Sequence, residues 1–496
     1  MKVAFVCANE EHIGVECLSA YLKQNGHETC LLFDPLLFAG AAFRIGFASR
    51  ACDFTEYLVE KCRRESPDLL AFSVITDQYR WGLDLAARLK GQFGIPIVFG
   101  GIHPTFVPEY VIRNEVVDFV VVGEGEEALL ELVEGLQSGR IDASMPNLWT
   151  MQNGRAVGNP PRDLIEDLDS LPYPDKELFY REVRGIATYT IMVSRGCPRN
   201  CTYCHNNTLR RIYNGRGKYL RYRSVDNVLA ELIRAKTYGK RSVVFDDDSF
   251  AASVGWLREF APRYAKVIGL PCFCWLHPSS ATDEVLELLT LMNCQCVEMG
   301  IQSLNPGVRQ RYLHRNGDND QIKHAITRLK RAGISLIADH IWVLPGENFQ
   351  DCAEAMEFYN RHRPTKLSVF YLRHYPGLEI NHLAGLDESR LEEIRRGNGS
   401  RPFTLDGDYA TRRLRQLETV ATLLQLLPPF VVGNILRWRL YRYFPAVKLN
   451  LLSLFLFVAK HILSGKWTVG SMILRMPFRQ FHSLKKLLLF KLGTRL

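Results

Sequence analysis

Three cysteines packed into eight residues constrain this chain more than any other feature. The stretch Ser194-Arg195-Gly196-Cys197-Pro198-Arg199-Asn200-Cys201-Thr202-Tyr203-Cys204-His205 reads C-x3-C-x2-C. Thiolates held that closely suit zinc or an iron-sulfur cluster, and three ligands on a four-iron cube leave one iron open for a substrate or cosubstrate. The alternative is structural zinc with His205 as fourth ligand. Zinc sites usually come as two separated ligand pairs, however, and no second pair follows at finger or ribbon spacing. The spacing therefore favours a cluster with an open corner.

The aromatic Tyr203 before the third cysteine completes a pattern that resembles the radical SAM enzymes. That resemblance implies that Cys197, Cys201 and Cys204 bind a 4Fe-4S cluster whose open iron chelates the amino and carboxylate groups of S-adenosylmethionine. It also implies an electron donor such as flavodoxin or ferredoxin. Three later stretches match the family in order. By resemblance, Asp246-Asp247 lies near the amino group and methionyl part, Gly300-Ile301-Gln302-Ser303 beside the ribose and carboxylate, and Leu344-Pro345-Gly346-Glu347 behind the adenine. Taken singly, an aspartate run is usually a solvated turn and Gln-Ser a helix start. No residue is assigned as catalytic.

Residues 1–140 alternate short apolar runs (Lys2 to Cys7, Leu69 to Ile75, Ile95 to Phe99, Phe119 to Val122) with amphipathic ones (Val15 to Asn25, Tyr79 to Gln92). This alternation predicts a doubly wound, Rossmann-like α/β domain that binds its ligand at the carboxyl ends of the strands. The run Phe99-Gly100-Gly101-Ile102-His103-Pro104-Thr105 followed by Val121-Val122-Gly123-Glu124-Gly125-Glu126 is similar to the cobalamin-binding domain that precedes the radical SAM core in one large subclass. The resemblance implies a corrinoid whose nucleotide tail runs along Ser73, Thr76, Gly100 and Gly101, with Asn9, His12, His103, Gly123, Glu124 and Gly125 around it. Other such domains carry D-x-H-x-x-G, with the histidine on cobalt. Here Glu10-Glu11-His12-Ile13-Gly14 is out of register, so His12 is expected to be a loop residue near the ring.

Residues 141–185 are expected to form a linker: Met145-Pro146-Asn147, Asn159-Pro160-Pro161 and Leu171-Pro172-Tyr173-Pro174 break regular elements, Asp163 to Asp169 looks mobile, and proline-rich spacers are stiff enough to hold two domains face to face. Strand-helix alternation resumes over 186–390 and predicts a partial (β/α)6 barrel with polar strand ends. Cys272, Cys274, Cys294 and Cys296 sit on neighbouring strands, where alternate thiols share a face, but buried free cysteine is the commoner outcome. His277, His340, His374 and Tyr375 shape a substrate cavity or pack in the core.

The net charge of +9 is uneven. From Thr419 to Leu496 there are 12 Lys and Arg and no acid, which leaves −3 for the rest. Residues 391–496 are expected to be helical. Thr419 to Leu436 is uncharged but interrupted by Pro428-Pro429, Gly433 and Asn434, and Leu449 to Ala459 is too short to span a bilayer. Flanked by Arg437, Arg439, Arg442, Lys448, Lys460, Lys485, Lys486 and Lys491, these runs read as helices on an anionic membrane surface, with Tyr441, Tyr443, Phe444 and Trp467 at headgroup depth. A helical cap on the barrel is the alternative. A nucleic-acid tail would be more polar, so no nucleic acid is expected.

The 13 cysteines are a small fraction of 496 residues, and Met1 to Cys7 runs straight into a strand-like stretch, not a signal peptide. Both suggest a reducing cytoplasm, with peripheral membrane contact through 419–496. The expected activity is reductive cleavage of S-adenosylmethionine, hydrogen abstraction from an unactivated carbon by the 5′-deoxyadenosyl radical, and methylation from cobalamin of a small-molecule or lipid substrate. Cyclisation or rearrangement of a lipid, isoprenoid or tetrapyrrole is the runner-up. A non-catalytic iron-sulfur scaffold or redox sensor comes third.

Overall fold

Runs of Val, Phe and Leu form a seven-stranded sheet in the first part of the chain, seen in a computed structural model that describes residues 1–37, 52–183, 187–398, 407–445, 450–463 and 475–491. Lys448, Leu449 and Trp467, named above, lie outside the described residues. The strands are β1 (Lys2–Ala8), β2 (Glu28–Asp34), β3 (Leu69–Ser73), β4 (Ile97–Gly100), β5 (Phe119–Val121), β6 (Leu148–Gln152) and β7 (Arg155–Gly158), in the order β2-β1-β3-β4-β5-β6-β7. Strands β1 to β5 pair in parallel, and β6 and β7 add an antiparallel hairpin. β1 is buried on both faces because helices cover both. Val3 and Phe5 pack with Leu129 and Leu132 on one side, while Ala4 and Val6 pack with Leu58 and Leu85 on the other. A parallel strand so enclosed reads as one continuous apolar run, which is what made it visible in the sequence.

Three expectations change here. β2 is a full strand beside β1, although its polar start hid it. Residues 141–185 do not lack regular elements: the hairpin β6–β7 extends the sheet, and a short helix spans Lys176–Tyr180. The acidic run is anchored, with Leu164 and Leu168 buried and Asp169 accepting a hydrogen bond from Ser224 N at 2.9 Å. The segment does hold the two halves together. Leu178, Phe179 and Val183 enter the first core, and Lys176 is buried against Glu16 (2.6 Å) and Glu11 (3.1 Å).

The second sheet has six parallel strands, β8 (Thr188–Ile191), β11 (Ser242–Phe245), β12 (Cys272–Leu276), β13 (Cys294–Gln302), β14 (Ser335–Trp342) and β15 (Lys366–Tyr371), in the order β15-β14-β13-β12-β11-β8. A two-stranded ribbon, β9 (Ser194–Arg195) with β10 (Arg221–Tyr222), lies beside it. Alternate residues divide the faces. Tyr189, Val243, Cys272, Cys274, Val297, Met299, Ala338 and Leu367 pack under the helices. Val244, Phe273, Cys296 and Ile337 form a separate cluster on the concave face. Cys272, Cys274 and Cys294 thus come together in the main core, with the Cys294 thiol hydrogen-bonded to the other two, while Cys296 lies on the opposite face. His340 also faces the helices, bonded to Tyr359 Oη at 2.9 Å.

Each C-terminal helix packs part of its apolar side on the protein. Gly407–Leu426 packs Leu414, Leu417, Val420, Ala421 and Leu424 into the barrel core. Asn450–Leu463 puts Phe457, 1 % exposed, into the concave-face cluster near the strands' amino-terminal ends. Arg475–Lys491 packs Leu487 on the first domain, with Phe490 edge-on to Tyr57 and Lys486 on Glu182. Tyr441 is buried as well, while Tyr443 is 86 % exposed. Among the described residues no helix is long and apolar enough to cross a membrane.

Candidate functional site

The cysteine loop grows from the end of β8 and is braced on all sides. Gly196 has φ +91°, and a Cβ there would collide with the Tyr219 carbonyl, so only glycine fits. Arg210, on the helix His205–Ile212, donates to the carbonyls of Cys197 and Arg199 and to Asn200 Oδ1. The thiols are close enough to act on one another: burial pushes Cys197 up and Cys204 up to about 12, and Cys201 and Asp248 add to both shifts. A metal centre that takes these groups as thiolates therefore displaces protons as it binds. N–H donors already face two sulfurs, with Asn206 Nδ2 at 3.8 Å from Cys204 Sγ and Arg315 Nη1 at 3.9 Å from Cys201 Sγ. Such bonds offset the charge of a thiolate-bound cluster. Among the described residues no three His, Cys, Asp or Glu side chains gather around a point for a single ion. A cube seats its thiolates on separate irons, farther apart than the ligands of one ion. The loop fits the cube.

Asp246, Asp247 and Asp248 follow β11, but they divide the work differently from expectation. Asp247 is buried and turned away from any ligand. It accepts bonds from Val193 N (3.1 Å), Ser194 N (2.6 Å) and Ser194 Oγ (2.5 Å), which fixes the root of the cysteine loop. Asp246 and Asp248 are exposed, and Asp248 is the one whose charge reaches Cys197, Cys204, His205 and Tyr219.

At the end of β13 the register against β14 slips between Gly300 and Gln302, and Gln302 takes φ +71°. Its Oε1 is buried without a hydrogen-bond partner. A left-handed non-glycine residue costs about 1–3 kcal/mol, and a bulge at a strand end re-aims a side chain. An orphaned acceptor at that point fits a polar ligand such as S-adenosylmethionine. Ser303 is not open to a ligand: it is 0 % exposed and donates to Glu347 Oε1 at 3.2 Å. Burial pushes Glu347 up to about 8. That contact anchors the turn Leu344-Pro345-Gly346, where Val343 (φ +65°) and Gly346 (φ +75°) both have left-handed backbone.

Arg315, which no motif signalled, ties the parts together. Its Nη1 donates to Tyr203 Oη at 2.8 Å and its Nη2 to the Gly300 carbonyl at 2.6 Å. With Arg199, Cys201 and His277 it lines a polar cavity of about 390 Å³. His277 is pushed down to about 2 by burial and by the two arginines, so it is neutral there. His374 bonds to Asn381, and Tyr375 reaches Asp77 at 3.4 Å.

A second cavity, of about 410 Å³, opens at the carboxyl ends of β1, β3, β4 and β5. Ser73, Gly100, Gly101, Gly123, Glu124 and Gly125 line it. A Cβ on Gly14, also in the lining, would meet no atom within 4 Å, so that space is kept free. This mostly apolar slot between small residues fits a flat corrinoid nucleotide. Four expected residues do not line it. Asn9 (φ +76°) turns the chain after β1, and His12 bonds to the Ala8 carbonyl at 3.2 Å. Thr76 and His103 bond to each other at 3.1 Å inside the core, where burial holds His103 down at about 3.

The second domain closes this cavity with Met192, Ser194, Arg195 and Arg223. Arg195, two residues before Cys197, reaches Glu124 (3.1 Å) and Glu126 (2.5 Å), and Arg221 reaches Glu124 (2.7 Å). Burial alone would raise Glu124, but the two arginines outweigh it and hold its carboxyl below the usual range. Tyr213 Oη accepts from Glu124 N at 2.8 Å, and a Cβ on Gly123 would collide with that oxygen. The cavity and the cysteine loop are thus joined by charge.

Comparison with known proteins agrees with this geometry. The family model described as B12 binding domain matches residues 3–133, and that of the Radical SAM superfamily matches residues 191–359. An uncharacterized methyltransferase of Pyrococcus horikoshii is 27 % identical over 332 residues, covering 64 % of this chain and 69 % of that protein. An anaerobic magnesium-protoporphyrin IX monomethyl ester cyclase of Rubrivivax gelatinosus is 28 % identical over 229 residues, covering 41 % and 38 %. The fold is that of OxsB, a cobalamin-dependent S-adenosylmethionine radical enzyme solved with aqua-cobalamin and S-adenosylmethionine, with TM-score 0.66, 15 % identity and coverage of 97 % and 75 %. It is also that of the radical S-adenosylmethionine methyltransferase TsrM from Kitasatospora setae, with TM-score 0.62, 18 % identity and coverage of 76 % and 74 %. At such identities the structural likeness speaks for the fold. With both domains matched in this order and a site for each cofactor, the chain belongs to the radical SAM enzymes that carry a B12-binding domain, and its cofactors are a 4Fe-4S cluster, S-adenosylmethionine and cobalamin.

Proposed function

We propose that this enzyme methylates an unactivated carbon of a substrate with an apolar body and a polar handle. The observation that carries the reading is the shared boundary of the two cofactor sites: the corrinoid cavity is closed by Ser194 and Arg195, at the root of the cysteine loop. S-adenosylmethionine on the cluster supplies hydrogen abstraction when bound, and cobalamin supplies the methyl group. Cys197, Cys201 and Cys204 hold the cluster, and Arg315 and Asn206 steady the sulfurs. Gln302 and the exposed Asp246 would meet the polar groups of S-adenosylmethionine, and the Pro345-Gly346 turn would back its base. Gly14 leaves room for the corrinoid tail, while Gly101 lets the turn after β4 pack directly on the Val74 backbone.

Support for an amphiphilic substrate comes from the concave face of the barrel. By strand alternation, Trp275, Ile341 and Phe370 stand on that face with Glu298, Asp339 and Lys366. Glu298 and Asp339 lie within reach of one another, and burial pushes both carboxyls up while the Lys366 ammonium pulls both back. Incubation of the reconstituted enzyme with methyl-labelled S-adenosylmethionine and host extract tests the reading. Label is expected in an organic-soluble product, and 5′-deoxyadenosine formation is expected to rise with that fraction. The match to the cyclase favours one second reading, oxidative cyclisation: product without label supports it and refutes methylation. Stimulation by the aqueous fraction alone refutes the amphiphilic substrate.

A further inference from the structure

We infer that residues 426–443 form a docking site for anionic phospholipid headgroups at a bilayer surface. The helix Pro429–Arg437 and the turn after it run over the helices Phe349–His362 and Gly407–Leu426, leaving an open groove of about 580 Å³. Five arginines line it: Arg361, Arg413, Arg437, Arg439 and Arg442. Among the described residues Glu357 is the one acidic residue in the lining. Guanidinium forks match phosphate oxygens two at a time, and five around one opening with a single acid favour an anion strongly. Arg439 adds a second sign. It holds φ +54°, a conformation that glycine adopts far more readily, so a long cation is kept where the backbone favours a smaller residue.

What stands beside the groove selects a bilayer over a dissolved anion. Phe430 is 71 % exposed, Trp438 63 %, Tyr443 86 % and Leu426 48 %, all on the same segment as the arginines. A site for free phosphate has no use for large apolar side chains held in water. A lipid surface takes both, with aromatic rings at headgroup depth and arginines on the phosphates. The 27 residues from Thr419 to Pro445 contain no acid. On the more distal helices Phe457 and Leu487 are packed on the protein, while Leu452, Phe455 and Leu488 are exposed and can add apolar contact beside this segment.

Flotation of the full chain with phosphatidylcholine vesicles, with and without one-third phosphatidylglycerol, tests the inference independently of catalysis. Binding is expected only to the anionic vesicles. Each of Arg437→Gln, Arg439→Gly and Arg442→Gln is expected to weaken it about fivefold, and the three together about a hundredfold. Trp438→Ala is expected to weaken it on both sides of a salt titration, because its part is apolar. Arg439→Gly is the key variant, since glycine suits φ +54° and the protein should melt no lower than wild type while binding falls. Equal binding to both vesicles, no flotation, or unchanged flotation of the triple variant overturns the inference. So does stabilisation by inorganic phosphate without flotation, which would mark a soluble-anion site. Binding of a single-stranded oligonucleotide without flotation would mark a nucleic-acid surface and overturn it equally.

Discussion

Arg195 gives the sharpest test of how the two cofactor domains are joined. Replacing it with methionine keeps the stem and removes two ion pairs across the domain boundary. Glu124 retains Arg221 at 2.7 Å, but Glu126, with only 5 % of its side chain exposed, is left without its guanidinium. At about 3 Å and an effective dielectric of about 20 the gross attraction is about 5 kcal/mol. Desolvation offsets more than half, so a net coupling of about 2 kcal/mol remains between Arg195 and Glu126. Arg195→Met and Glu126→Gln should each destabilise the protein by about 2–4 kcal/mol, and the double variant by about 2 kcal/mol less than their sum. Urea unfolding followed by circular dichroism and by fluorescence reads the cycle. The Arg195 variant should also take up iron more slowly during anaerobic reconstitution, because its backbone leads into Cys197. Additivity of the two substitutions within about 0.5 kcal/mol would refute the charge coupling.

Cys204→Ala, or either other cysteine changed to alanine, should lose the iron that the wild type holds at about four per chain and should form no 5′-deoxyadenosine, as iron assay and chromatography would show. Asp247→Ala strands three donors at the base of the cysteine loop and should cost about 3–5 kcal/mol by urea unfolding, with Asp247→Asn in between; an unchanged midpoint would contradict its bracing role. His103 is held at about 3 in the folded protein, against an ordinary value of 6.5. The unfolded chain therefore binds the extra proton between those values, and the stability His103 contributes is present above pH 6.5 and lost as pH falls towards 3. Wild type should lose up to about 1.4 kcal/mol per pH unit more than His103→Gln over that window, and equal slopes would refute the assignment. Gly123→Val, placed against Tyr213 Oη with φ +73°, should loosen the domain contact by more than about 2 kcal/mol and raise cobalamin release, measured by absorbance after gel filtration.

Much of the site was legible because its parts are local in the chain. C-x3-C-x2-C, the glycine pairs after apolar runs and the order of the strand-end motifs all lie within single loops, so spacing alone carries them. Which member of a loop faces the ligand was not legible. Asp247 and Ser303 occupy the motif positions, yet they brace backbone and Glu347, while Asp248 turns towards the thiols. One residue of shift along a strand end exchanges inside for outside, and no periodicity reports that choice.

Residue types and their spacing by themselves determined that the chain grips a cluster, that two α/β units follow one another and that the basic charge gathers at the C-terminus. Only the tertiary structure decided that Arg315 meets Tyr203 from 112 positions away, that Arg195 bridges to Glu124 and Glu126, and that Phe457 packs into the barrel while Trp438 stays in water. Each of these depends on which surfaces meet when helices close over a sheet. Burial, not composition, then decides whether a charge is a brace, a ligand or a patch for a partner.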